Sequence, residues 1–179
     1  MHTSSYNLMK EFKDKYYISN CKVLDVGSCD VNGTYKDIFD DCNYTGCDIC
    51  EGKNVDIILK DPYNWKEIKD EFDVVISGSA FEHIEYPWCT ILEINKILKT
   101  DGLCCIIVPE VWEEHRYPLD CYRYLTDGLR ALFAWANINP IEYKSALAYD
   151  DIYGNLEPYK DCICIGKKSG IINSLCMKW

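Results

Sequence analysis

The sequence predicts an α/β fold: a mostly parallel seven-stranded sheet with flanking helices, its last strands antiparallel. Three observations lead there. Short apolar runs alternate with stretches of helical period, as in a sheet wound through crossover helices. The first run ends on a glycine turn, as a buried parallel strand does before its crossover. The last two runs follow one another with no helical pattern between them, which antiparallel neighbours allow.

Ser4 to Tyr17 carries Tyr6, Met9, Phe12 and Tyr16 at helical spacing, with Ser5 available as a cap, so an N-terminal helix is expected over 4–17. CKVLDV (21–26) reads as the first strand, and Gly33 to Phe39 as a short helix after it. YTGCDI (44–49) and VDIILK (55–60) are the second and third strands. FDVVISG (72–78) is the fourth, closed by Gly78. Pro87 opens a helix through Lys99 that buries Ile91, Ile94, Ile97 and Leu98, and Thr100-Asp101-Gly102 stops it. LCCIIVP (103–109) is the fifth strand. Thr126 caps the helix DGLRALFAWA, whose apolar side carries Leu129, Leu132, Phe133 and Trp135. INPIEYKSALAY (138–149) and DCICIGK (161–167) complete the sheet, and IINSLCMKW is a tail. Only six residues separate Asp48 from Val55, too few for a helical crossover. Either that crossover is a loop or one of the two strands is misassigned.

The length fits one domain over residues 1–179, with its core at about 21–168 and a tail at 170–179. Net charge is −10, and the longest basic cluster is Lys167-Lys168, which disfavours a nucleic-acid partner. No apolar run approaches a membrane span, and the first residues lack the apolar segment of a secretory signal, so a soluble, cytoplasmic protein is expected. Twelve cysteines fall on predicted strands as well as loops. Cys47 and Cys50 form a CxxC with no second CxxC or paired histidines to complete a zinc set, so no metal site is assigned and the thiols read as small buried apolar groups.

The stretch VLDVGSCDVNG (23–33) poses the functional question. It lies at the carboxyl end of the first strand, where open α/β sheets bind ligands. A dinucleotide loop wants a glycine at position 29 so that backbone can approach a pyrophosphate, and Cys29 stands there. S-adenosylmethionine has no pyrophosphate. It needs a turn for its amino-acid end and an acid for its ribose, and Asp48 ends the second strand 21 residues beyond Gly27.

In order along the chain, VLDVGSCDVNG, YTGCDI, VDIILKDPYNW, FDVVISGSAFEHI, ILKTDGLCCIIVP and EHRYPLDCYRYLTDGLRAL resemble the class I S-adenosylmethionine-dependent methyltransferases, most of all the type 11 group. The resemblance spans about Cys21 to Lys167 and implies a Rossmann-like fold. Lys99-Thr-Asp-Gly102, Cys29 and the short second crossover depart from the family pattern.

The resemblance implies that Gly27, Ser28 and Cys29 pass the methionine part of the cofactor, with Asp25 bracing the loop by accepting amide hydrogen bonds or serving only as a turn-holder. It places Asp48 on the ribose and Ile49 on the adenine. Asp61 and Pro62 approach the adenine edge, or Asp61 only caps its own turn; Gly78 and Ser79 border the methyl-donor end. His83 and His115 are the candidate general bases, against the alternative that His83 only bonds backbone in its own loop. PEVWEEHRYPLDCYRY (109–124) would shape the acceptor site, or act as a lid, with Asp120 and Arg123 free to pair across three residues. The expected activity is methyl transfer to a small polar or sugar-containing molecule. Rival readings are a non-catalytic cofactor binder or regulatory domain, a nucleic-acid or protein methyltransferase, a dinucleotide oxidoreductase, and a purely structural domain. Oligomeric state is not legible.

Overall fold

The computed structural model describes residues 3–148 and 159–170. Its sheet is built from β1 (Lys22–Val26), β2 (Asn43–Asp48), β3 (Ile57–Ile58), β4 (Phe72–Gly78), β5 (Leu98–Val111), β6 (Ile138–Ala148) and β7 (Tyr159–Lys168). They lie in the order β3-β2-β1-β4-β5-β7-β6. The first five pair in parallel, and β7 runs antiparallel between β5 and β6. The expected mostly parallel seven-stranded sheet with antiparallel last strands is therefore the fold. The proposed tail at 171–179 lies outside the described residues.

Strand alternation sorts the core into two layers. Val75, Cys104, Ile106 and Val108 face α2 (Pro87–Ile97) and α3 (Thr126–Trp135), where Ile91, Ile94, Leu129 and Phe133 are buried. Val74, Ile76, Cys105 and Ile107 face α1 (Thr3–Lys15) and its Leu8, Met9 and Phe12. Cys104, Cys105, Cys162 and Cys164, expected on strands, are buried free thiols, as is Cys47, whereas Cys21, also expected on a strand, is half-buried.

Several local expectations are corrected. Residues 33–39 form no helix. They make successive short turns, with Ile38 N–H on the Tyr35 carbonyl at 2.9 Å and Phe39 N–H on the Lys36 carbonyl at 3.2 Å. The segment is too short to repay helix nucleation, and Asp40 and Asp41 would sit against the negative end of its dipole. Burial of Tyr35, Ile38 and Phe39 drove the apolar pattern instead. Ser5 is not a cap: it lies inside α1, buried, with its hydroxyl 2.6 Å from that of Tyr35. Thr126 begins α3 and does not cap it; Leu125 precedes it in extended conformation. Helix α2 stops at Ile97, because Leu98 is already extended (φ −79°, ψ 130°) and begins β5. The third strand contracts to two residues, since it pairs only with Cys47 and Asp48 before Leu59 turns inward. The short crossover between β2 and β3 is a loop, and both strands are real.

Candidate functional site

The carboxyl ends of β1, β2 and β4 meet at one edge of the sheet. Gly27 leaves β1 in the left-handed region (φ 78°), and a Cβ there would overlap that of Ala80 beyond β4. The N–H groups of Gly27 and Ser28 both donate to the Cys47 carbonyl, at 2.9 and 3.1 Å. β2 therefore braces the turn through its backbone, and Asp25 does not do so by accepting these amides. The Asp25 carboxylate instead accepts from the Tyr44 hydroxyl inside the sheet, and burial pushes its pKa up to about 7.

The turn is also locked to the crossover loop. The Ser28 hydroxyl donates to the Asn54 carbonyl at 2.9 Å; the Asn54 amide donates to the Ser28 carbonyl at 3.1 Å and to the Tyr44 hydroxyl at 3.2 Å. Asp30 N–H donates to the Lys53 carbonyl at 2.9 Å, and the Lys53 ammonium meets Asp30 at 2.6 Å. This close approach needs glycine on the far side. A Cβ on Gly46 would overlap the Asn54 carbonyl and the Ser28 side chain, and one on Gly52 would stand 2.5 Å from the Cys29 sulfur. The glycine absent at position 29 is thus matched by one at position 52.

Asp48 ends β2 with its carboxylate against both loops. Oδ1 accepts from Ile49 N–H at 2.7 Å and Cys50 N–H at 3.3 Å, and Oδ2 accepts from Cys29 N–H at 3.1 Å. A carboxylate offers about four acceptor positions, so Oδ2 keeps room for a further donor. Beside it Ile49 is 54% exposed, a large apolar side chain open at a strand end. Asp61 accepts from Tyr63 N–H at 2.9 Å, closing its own turn, and the Pro62 carbonyl accepts from the Trp65 indole at 2.9 Å. Gly78 has its open side filled by the Tyr35 ring, and Ser79 adopts φ 53° with its N–H on the Ile107 carbonyl at 2.9 Å.

A second group gathers beyond β4. A single 3₁₀ turn, Phe81–His83, buries Glu82 and brings His83 against His115, their ring centroids 4.9 Å apart. The Glu82 carbonyl accepts from Cys121 N–H at 2.7 Å and Tyr122 N–H at 3.2 Å, which fastens the 112–124 segment to this turn. Arg123 grips Asp120 through both guanidinium arms, at 2.6 and 2.7 Å, and also donates to the carbonyls of Trp112, Glu113 and Tyr122. The expected Asp120–Arg123 pair thus shapes the loop, and it holds the Asp120 carboxyl well below the usual range. Asp120 also accepts from His115 N–H at 2.7 Å. His83 bonds the Leu119 carbonyl through Nδ1 at 2.5 Å, and burial lowers its pKa. Burial pushes the Glu82 carboxyl up to about 8.

Residues 24–106 match the family described as methyltransferase domain. The chain has the Rossmann-like fold of the class I methyltransferases. The fold is shared with Burkholderia thailandensis 1,6-didemethyltoxoflavin-N1-methyltransferase, solved with 1,6-didemethyltoxoflavin and S-adenosylhomocysteine: TM-score 0.68, 17% identity, 93% of this chain and 79% of that one. It is shared also with an S-adenosylmethionine-dependent methyltransferase from Clostridium acetobutylicum: TM-score 0.66, 9% identity, 95% and 93% covered. The [4+2]-cyclase SpnF superimposes with TM-score 0.71 at 13% identity, covering 92% of this chain and 81% of that one. No curated protein sequence matches the chain at a significant level.

Gly27, Ser28, Cys29, Asp48 and Ile49 converge at one edge, and His83 meets His115 beyond β4. Asp25 and Gly78 are covered by Tyr44 and Tyr35. Sequence reading missed Gly46, Gly52, Asn54 and Glu82. A glycine inside a strand run marks close backbone approach, which was a usable sign at Gly46. Nothing in SAFEHI distinguishes a buried glutamate from an exposed one.

Proposed function

We propose that the chain transfers a methyl group from S-adenosylmethionine to a small polar molecule held between the Phe81–His83 turn and the 112–124 segment. The observation that carries the reading is the end of β2. The Asp48 carboxylate, held by three backbone N–H groups, retains acceptor capacity for a ribose hydroxyl, and exposed Ile49 offers an apolar surface to a purine. The donor set therefore fits an adenosyl ligand. Gly27 and Ser28, pinned to β2, present the turn that the methionine end would meet.

When bound, S-adenosylmethionine supplies an electrophilic sulfonium methyl group. The protein's part is to orient the acceptor and exclude water. His83 and His115 face one another beside the 112–124 segment, and Tyr117 borders both rings at 6.0 and 6.4 Å. The expected acceptor is a small polar or sugar-containing compound, in keeping with an acidic chain whose charge of −10 does not suit nucleic acid.

Calorimetric titration with S-adenosylmethionine, S-adenosylhomocysteine and NAD tests the cofactor side. Both adenosyl ligands bind the wild type, NAD does not, and Asp48→Ala weakens binding by about 1.5–3 kcal/mol, the worth of a hydrogen bond to a charged group. Unchanged affinity in that variant, with its circular dichroism intact, would remove Asp48 from the ribose.

A further inference from the structure

We propose that Glu82, His83 and His115 form a binding site for one divalent transition-metal ion, with an open position for an oxygen ligand. One Glu82 oxygen stands 3.7 Å from Nε2 of His83 and 3.8 Å from Nε2 of His115, and the three ligand atoms all lie within 4.8 Å of one another. Zinc bonds of about 2.0–2.1 Å in tetrahedral geometry put ligand atoms roughly 3.4 Å apart. The two spacings to Glu82 need only a few tenths of an ångström of closure.

The polar bookkeeping points the same way. The Glu82 side chain is 1% exposed, and neither of its oxygens has a hydrogen-bond partner among the described residues. A buried, unpaired carboxylate is costly, and coordination to a metal is one of the few ways to offset it. Both imidazoles direct Nε2 at Glu82 because Nδ1 is engaged elsewhere: His83 on the Leu119 carbonyl at 2.5 Å, His115 near the Glu113 carbonyl at 3.1 Å and Asp120 at 3.6 Å. With the proton on Nδ1, each Nε2 offers a lone pair toward the Glu82 carboxyl. A cation resolves that arrangement. Partners on Nδ1 are also how ligating histidines are oriented.

The loop carrying His115 is built to hold its place. Glu82 fastens Cys121 and Tyr122 through its own carbonyl, and Arg123 grips Asp120, which in turn receives the His115 N–H. Two imidazoles and a carboxylate, without a thiolate, suit zinc or a similar borderline ion. Three protein ligands leave a position for an oxygen. Resting on the methyl-transfer reading, that oxygen is a hydroxyl of the acceptor, whose pKa the ion lowers so that its proton passes to solvent as the acceptor binds, ahead of methyl transfer.

The test uses the whole chain, stripped with chelator and titrated with zinc by calorimetry and with cobalt by visible absorption. The proposal expects one zinc per chain and nitrogen–oxygen cobalt bands. Binding should be at least about a hundredfold weaker in Glu82→Gln and His115→Ala, since losing an outer partner alone costs about 10–100-fold. His115→Ala is the safeguard if Glu82→Gln does not fold. Absence of a zinc equivalent in the wild type, unchanged affinity in His115→Ala, or a thiolate-to-cobalt charge-transfer band would each overturn it. S-adenosylhomocysteine affinity is measured alongside. Its persistence without zinc binding sinks the metal site alone, whereas zinc binding without adenosyl binding sinks the methyl-transfer reading.

Discussion

Replacing Gly46 with alanine sets two physical effects against each other. In a strand, alanine is favoured over glycine by roughly 0.5–1 kcal/mol because the unfolded chain loses less freedom. In this fold the new Cβ would overlap the backbone carbonyl of Asn54 and the Ser28 side chain. A backbone oxygen cannot rotate aside, so the crossover loop must lift off β2. Overpacking of this kind costs about 1–3 kcal/mol. Lifting the loop also breaks Ser28 Oγ–Asn54 O and Asn54 Nδ2–Ser28 O, at about 0.5–1.5 kcal/mol each. The contact outweighs the propensity, and Gly46→Ala should destabilise by roughly 2–4 kcal/mol. Urea unfolding followed by circular dichroism and tryptophan fluorescence reads this as a lower midpoint at unchanged slope. Ser28→Ala should cost about 1 kcal/mol in the wild type and almost nothing in the Gly46→Ala background, because its bond is already gone. A change below about 0.5 kcal/mol for Gly46→Ala, or full additivity of the pair, would refute the coupling between loop and crossover.

Four further outcomes are expected. Burial raises the Asp25 pKa to about 7, against about 3.9 unfolded, so the contribution of Asp25 to stability is greatest below pH 4, falls as pH rises toward 7 and is level above; Asp25→Asn should flatten a slope worth at most about 4 kcal/mol, and an unchanged pH profile would show that Asp25 is not the group. Asp120 is held below the usual carboxylate range by Arg123, so its stabilisation is present at neutral pH and lost as pH falls through the acid range. Arg123→Lys removes the two-armed grip and should speed amide exchange in residues 112–124 by about tenfold or more, with α3 as the unchanged internal reference; equal protection in both proteins would contradict this. Exposed Cys121 should react with a thiol reagent at least about a hundredfold faster than buried Cys104 and Cys105, which side chains cover on the two faces of the sheet, and mass mapping of early adducts on the buried pair would show the sheet to be looser than described.

The sheet was readable because each strand carries its own evidence. FDVVISG and LCCIIVP are apolar on both faces, which only a strand covered on both sides requires. Helices α2 and α3 were legible as periodic stripes, but their ends were not. Thr126 looked like a cap and is the first helical residue, and Lys99 looked helical although Leu98 already pairs with Phe72. Ends depend on which tertiary partner claims the backbone. The run at 33–39 misled for the same reason, because burial of Tyr35, Ile38 and Phe39 imitates helical period without helical hydrogen bonds.

By itself the sequence determined the sheet's class, the position of the loop after β1, the acid at the end of β2 and the pairing of Asp120 with Arg123. Each rests on residues adjacent in the chain or on a repeating period, and short-range sterics and burial act on those directly. Tertiary structure alone decided that Gly46 and Gly52 accept the crossover, that Asn54 ties Ser28 to Tyr44, and that Asp25 is buried under a tyrosine. It alone brought His115 from beyond β5 to His83 and placed a buried carboxylate between them. Those contacts join residues that no local pattern relates, and burial of a single charged side chain is a property of everything that packs around it.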